Sequence, residues 1–306
     1  MHRVRLACPP GATDCHIHFY GSPEDYPVAP TCPIPPPYAP VEAYRAVMAR
    51  LGLERVVIVQ PSAYATDNRC TLDGVAALGE GARAVVVVDR DVTDEELDRL
   101  TSLGVRGIRF FMLPGGVLPW DILEEMAARV APFGWHVQLQ LDGRELHERE
   151  ALLRRLPARL VVDHNGKFLE PVAPGHPGFQ ALLRLVETGR CWVKVSAPYE
   201  TSRQGPPLYG DVGVLAKALI RAAPERMVWA SNWPHPTALA NPPDDGVLLD
   251  LLLEWTADED VRRRILTDNP AELYGFDPLA GSYQGPSDST GNRIIPARAG
   301  PTRRST

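Results

Sequence analysis

No apolar run in the 306-residue sequence approaches the ~20 residues a membrane-spanning helix needs, so no membrane partner is expected. The first residues, MHRVRLACPPGATD, lack the apolar core of a secretory signal. Cysteine is sparse. Cys8, Cys15, Cys32, Cys70 and Cys191 are odd in number, scattered and never in a C-x-x-C pair. That pattern excludes a disulfide framework or a cysteine zinc cage and predicts reduced thiols in a cytoplasmic protein. Positive charge is not in excess either: 32 Lys and Arg stand against 38 Asp and Glu, for a net charge of -6. Such a balance does not suit a nucleic-acid binder. Finally, no G-x-G-x-x-G or P-loop follows the first strand-like run, which counts against a doubly wound nucleotide-binding sheet.

What is present is a repeating alternation. Short β-branched runs occupy residues 13–18, 55–60, 83–88, 106–111, 135–141, 160–164, 191–196 and 227–231, and helix-like stretches follow them. VEAYRAVMARLG, DEELDRLTSLG and DVGVLAKALIRAA are examples. The second, third and eighth runs are almost wholly apolar, as strands covered on both faces must be. Eight βα units predict an α/β fold, the (β/α)8 or TIM barrel, over residues 1–276. The chain holds 31 prolines, many of them in loops. A long Pro-rich segment from Gly21 to Pro40 follows the first strand and should cover the catalytic face. Residues 277–306 are rich in Gly, Ser, Pro and Arg, and read as a disordered C-terminal tail outside the domain.

Barrel chemistry gathers at the C-terminal ends of strands. On the first strand, His16 and His18 lie two apart and share a face. The fourth carries Arg109 in an apolar setting, where a planar guanidinium fork suits a carboxylate. The fifth offers Gln138 and Gln140. The sixth ends in Asp163-His164-Asn165-Gly166-Lys167, and the seventh places Lys194 and Ser196 on one face, then Tyr199. The eighth ends in Ser231-Asn232-Trp233-Pro234-His235-Pro236. Tyr64 and Asn68 follow the second strand. His136 sits at a strand start, the stability end of a barrel, and is left out of the site.

The H-x-H pair of His16 and His18, D-H-x-G from Asp163 to Gly166, S-x-W-P-H-P from Ser231 to Pro236 and D-N-P-A-x-L-Y from Asp268 to Tyr274 resemble the amidohydrolase superfamily. The branch is the one containing 2-pyrone-4,6-dicarboxylate lactonase and D-galactarolactone isomerase, and the resemblance runs from about Pro10 to Phe276. It implies an amidohydrolase-type barrel and a small-molecule lactone or dicarboxylate substrate. Metal-dependent members hold their ion with the H-x-H pair, Lys or Glu on the fourth strand, His on the fifth and sixth, and Asp on the eighth. This chain has Arg109, Gln140 and Asn232 at three of those places. A guanidinium opposes a divalent ion. No cofactor is therefore expected; the alternative is zinc or another divalent metal on His16, His18 and His164.

In the lactonases of the branch, the resemblance implies that the eighth-strand Asp activates water. Asn232 cannot take a proton near neutral pH. The expected activity is therefore metal-independent isomerisation of a sugar-diacid 1,5-lactone to the 1,4-lactone, by internal acyl transfer. His16, His18, His164 and Asn232 are the expected catalytic residues. Arg109, Tyr64, Asn68, Gln140, Lys167, Lys194, Tyr199 and His235 are expected to bind substrate. Two other readings remain: a lactonase with His164 as base, and a barrel that binds an acidic ligand without turnover.

Overall fold

A computed structural model describes residues 2–32 and 35–277. The expected tail, beyond Asp277, lies outside the described residues. The strands are β1 (Thr13–Ile17), β2 (Arg55–Val59), β3 (Ala82–Val86), β4 (Val105–Phe111), β5 (His136–Gln140), β6 (Leu160–Val162), β7 (Cys191–Ser196) and β8 (Met227–Ala230). All pair in parallel in sequence order. The ring closes between β8 and β1, where His18 N donates to Trp233 O (2.8 Å) and Asn232 N to His16 O (2.9 Å). The eight-run barrel expectation is met, with strand ends within about two residues of those read from sequence.

The outer helices include α1 (Val41–Leu51), α2 (Arg69–Leu78), α3 (Asp94–Ser102), α4 (Leu123–Val130), α5 (Leu146–Arg155), α6 (Pro177–Val186), α7 (Gly210–Ala222) and α8 (Asp245–Trp255). Short α9 (Glu259–Arg263) and α10 (Asn269–Tyr274) finish the fold. α3 shows how sequence sets such an element. Thr93 caps it by accepting from Glu96 N, three acids occupy its first turn, and Leu97 and Leu100 face inward. Among the described residues, no helix is long and apolar enough to cross a membrane.

Strand periodicity sorts the core into two layers. On β2, Val56 and Ile58 pack toward the helices, while Val57 and Val59 point into the barrel. All four are fully buried, each contributing roughly 1.5 kcal/mol or more. Inside the barrel the lower interior is apolar: Val57, Val85, Val161, Trp192 and Val228 meet Leu273 and Tyr274 of α10. His136 sits in this lower layer, edge-on to Tyr274 at 5.3 Å. It fits because Gly107 faces it; a Cβ there would lie 2.5 Å from the imidazole. The D-N-P motif is part of this base: Asn269 Nδ2 donates to Pro224 O and Met227 O, pinning the entry to β8.

Toward the C-terminal ends the interior turns polar. A register shift on β1 between Asp14 and Ile17 brings both His16 and His18 inward. Asp14 faces the seam instead, accepting from Ser231 N (2.9 Å) and Tyr44 Oη (2.9 Å). Burial pushes its carboxyl up to about 6 despite these bonds.

Candidate active site

A cavity of about 320 Å³ opens at the C-terminal ends of the strands. His18, Arg109, Gln140, Lys167, Glu200 and Asn232 supply its polar wall. Cys32 and Pro35–Pro37 of the β1–α1 segment line it too, so the Pro-rich loop covers this face as expected. Among the described residues, six of the eight non-glycine residues with positive φ stand here, after β6, β7 and β8: His164, Asn165, Lys167, Ala197, Asn232 and His235. Strained backbone concentrated at one end of a barrel is a mark of a functional face.

Arg109 is 5% exposed. Its guanidinium donates to Gln60 O (2.7 Å) and Gln140 Oε1 (3.1 Å), and Nε has no partner. Among the described residues no carboxylate pairs with it. A buried guanidinium on a cavity wall with unused donors is a site for an anion.

The imidazoles are fixed by a chain of donors. Lys194 Nζ is fully buried beneath them and faces three acceptors: Gln138 Oε1 (2.6 Å), His16 Nδ1 (3.2 Å) and Asp163 Oδ1 (3.4 Å). An ammonium only donates, so His16 Nδ1 accepts and its proton sits on Nε2. That Nε2–H points at His18 Nε2 (3.2 Å), while His18 Nδ1 donates to Val59 O (2.7 Å). Both rings are therefore neutral with every nitrogen engaged. Burial lowers the pKa of both, that of His18 to about 3. Burial alone would raise the Asp163 carboxyl, but Lys194 and its other cationic neighbours hold it below the usual range.

His164 differs. Ser196 Oγ donates to Lys194 O (3.3 Å) and so accepts from His164 Nδ1 (2.9 Å). The proton of His164 is thus on Nδ1. Its Nε2 makes no hydrogen bond and faces Glu200 Oε2, a cavity-wall group, at 4.0 Å, leaving one basic lone pair behind that wall. Burial keeps this ring neutral as well.

Residues 13–276 match the amidohydrolase family. The chain belongs to that family. Its curated relatives include D-galactarolactone isomerase of Agrobacterium fabrum, 39% identical over 277 residues, which span 89% of this chain and 94% of the relative. 2-Pyrone-4,6-dicarboxylate hydrolase of Comamonas testosteroni is 34% identical over 282 residues, 89% of this chain and 92% of the relative. A crystal structure of Agrobacterium tumefaciens ATU3138 in its apo form aligns at TM-score 0.83 and 38% identity, covering 89% and 98% of the two chains.

Many amidohydrolases carry a divalent ion, so the donor set bears testing. His16, Asp163 and His164 each offer an atom within 4.8 Å of the others. The arrangement nevertheless does not fit an ion. The Lys194 ammonium lies 3.2 and 3.4 Å from two of those groups and occupies the free lone pair of His16. A divalent ion would meet a fixed cation at hydrogen-bonding range. His18, third in the expected metal set, has its Nε2 taken by His16.

This amidohydrolase brings most of the sequence-predicted site together, with corrections. His18, Arg109, Gln140, Lys167 and Asn232 line the cavity; His164 lies just behind the wall, its Nε2 4.0 Å from the lining Glu200, and His16 and Lys194 are fully buried. Lys194 therefore orients His16 and does not reach a ligand. Tyr64 is a buried loop residue whose hydroxyl accepts from Gly21 N. Asn68 clamps the β3 end, accepting from Val87 N and donating to Val87 O. Tyr199 receives Asn232 Nδ2 on its hydroxyl (2.9 Å). His235 lies between Tyr199 Oη and Asp245 Oδ1, anchoring the β8 loop. None of these four lines the cavity. Glu200 was missed. It follows Tyr199, pairs with Lys167, and accepts from Thr237 Oγ1 (2.7 Å) and Asn232 Nδ2 (3.4 Å). A carboxylate therefore stands on the cavity wall even though Asn232 takes the place of the eighth-strand acid.

Proposed function

We propose that this protein is a metal-independent, cytoplasmic lactone isomerase, converting a sugar-diacid 1,5-lactone into the 1,4-lactone. The observation that carries the reading is the pairing of Arg109, a buried cation without a carboxylate partner, with the free Nε2 of neutral His164. Arg109 anchors the free carboxylate of the lactone. A ligand hydroxyl then attacks the lactone carbonyl. A new C–O bond forms, the old ester C–O bond breaks, and one proton passes from the attacking to the departing oxygen. His164 Nε2 takes and returns that proton. The Asn232 amide and the His18 ring stand at the cavity wall beside the reacting centre.

Internal attack is favoured over hydrolysis because no carboxylate on the cavity wall is free to activate water, and the one free base, His164 Nε2, serves the ligand hydroxyl. Asn232 cannot accept a proton, and Glu200 has both oxygens engaged by Lys167, Thr237 and Asn232. The isomerase among the relatives supports the same direction. One observation favours hydrolysis as the second reading: Glu200 Oε2 lies 4.0 Å from His164 Nε2, so a carboxylate and an imidazole adjoin.

Incubation with D-galactaro-1,5-lactone in H2(18)O, followed by NMR and mass spectrometry, separates the two. The 1,4-lactone without label is expected; open diacid carrying 18O would replace this reading with the second. Arg109→Met should raise KM by about 100-fold, since a charged hydrogen-bond pair is worth up to about 3 kcal/mol. Initial-rate kinetics check it, and an unchanged KM would remove Arg109 from the carboxylate site.

A further inference from the structure

The charges on the cavity wall have a definite balance. Among the described lining residues, Arg109 and Lys167 are cations and Glu200 is the one carboxylate. Glu200 and Lys167 form an ion pair, with side chains only 4% and 7% exposed. Beneath them, Lys194 and Asp163 also pair, and the three upper imidazoles are neutral. One positive charge, that of Arg109, is left to meet a ligand.

We infer that Glu200 is a specificity-determining residue that limits this pocket to lactones with a single free carboxylate. The inference rests on the proposed lactone chemistry and deepens it. A sugar-diacid monolactone has one carboxyl closed into the ring ester and one free, so it carries one negative charge and several hydroxyls. Arg109 meets the charge. Glu200 Oε1 already accepts from Thr237 and Asn232, and Oε2, paired with Lys167, keeps acceptor capacity for a ligand hydroxyl. A lactone with two free carboxylates would set its second one against Glu200, while the cation that could have received it, Lys167, is already neutralised. Like-charge contact against a side chain only 4% exposed is a strong discriminator.

Glu200→Gln keeps the size of the side chain and releases Lys167 as a second free cation. Calorimetric Kd values for D-galactaro-1,4-lactone (one carboxylate) and 2-pyrone-4,6-dicarboxylate (two) are compared in the native protein and the variant. The native protein should prefer the monoanion by at least tenfold, and Glu200→Gln should shift the ratio at least tenfold toward the dianion. Glu200→Ala makes the same charge change and should move the ratio the same way, which covers a failure of either variant to fold. A ratio unmoved in both variants overturns the inference, even where lactone turnover is observed.

A matched pair of ring ethers, tetrahydropyran-2-carboxylate and tetrahydropyran-2,6-dicarboxylate, serves as the second arm. If the lactones neither bind nor react but the ethers show the charge preference, the lactone reading fails and the role of Glu200 stands. If neither pair binds, both fall.

Discussion

His164→Asn should lower kcat by about a thousandfold with KM held within about threefold, the loss typical of removing a positioned proton-transfer group. Asparagine is the replacement of choice because residue 164 has φ of 51°, a left-handed conformation that Asn tolerates better than Ala or Gln. The separation of effects follows from position. His164 presents one unshared lone pair beside Glu200 and makes no contact suited to a resting carboxylate, so it acts on the reaction and not on ground-state binding. Arg109 does the opposite. Steady-state rates with product identified by NMR decide the matter: kcat within tenfold of the native value would move proton transfer to another group.

The second large effect concerns stability in mild acid. His16, His18, His136 and His164 are all held below the ordinary histidine pKa by burial. The unfolded chain takes up their protons as pH falls below about 6.5, and the native state refuses them. Stability from these groups is therefore complete above that pH and is lost as pH falls. Asp14 has the reverse sign. Its folded pKa is raised to about 6, so the native state gains a proton there before the unfolded chain does, returning part of the loss. Each ring that stays neutral gives up at most about 1.4 kcal/mol per pH unit, so stability falls by a few kcal/mol between pH 7.5 and 5.5, less the part that Asp14 returns. Urea unfolding at the two pH values, with m unchanged, measures it. A drop below about 1 kcal/mol would mean that these rings are protonated in the native state.

The barrel was legible because its signals are local and repeated. β-branched runs at β2, β3 and β8 have no other economical use, and strand ends followed from them. The upper site was partly legible for the same reason: alternate residues on a strand share a face, which placed His18, Arg109, Gln140 and Asn232 on one wall. What could not be read was depth. His16 and Lys194 have the same parity as their neighbours but sit one layer lower, and only three-dimensional packing shows that Lys194 fills the space between His16 and Asp163. Loop residues were harder still. Tyr64, Asn68 and His235 carry chemistry-capable groups that the structure spends on backbone and loop anchoring. Glu200 was overlooked although it directly follows Tyr199 at a strand end. A carboxylate one place beyond a residue already singled out was the available signal.

The β1–β8 junction joins residues far apart in the chain, and those residues are also the site. His16 and His18 on one edge are bonded through their backbones to Asn232 and Trp233 on the other. Pairing across more than two hundred positions is entropically slow. A refolding molecule whose β1–β8 seam is still open would hold Arg109 and His164, yet its His16–His18 pair and Asn232 would not yet face one another. Regain of turnover during refolding thus times the meeting of the chain's two distant halves, and no truncated barrel can inherit the activity.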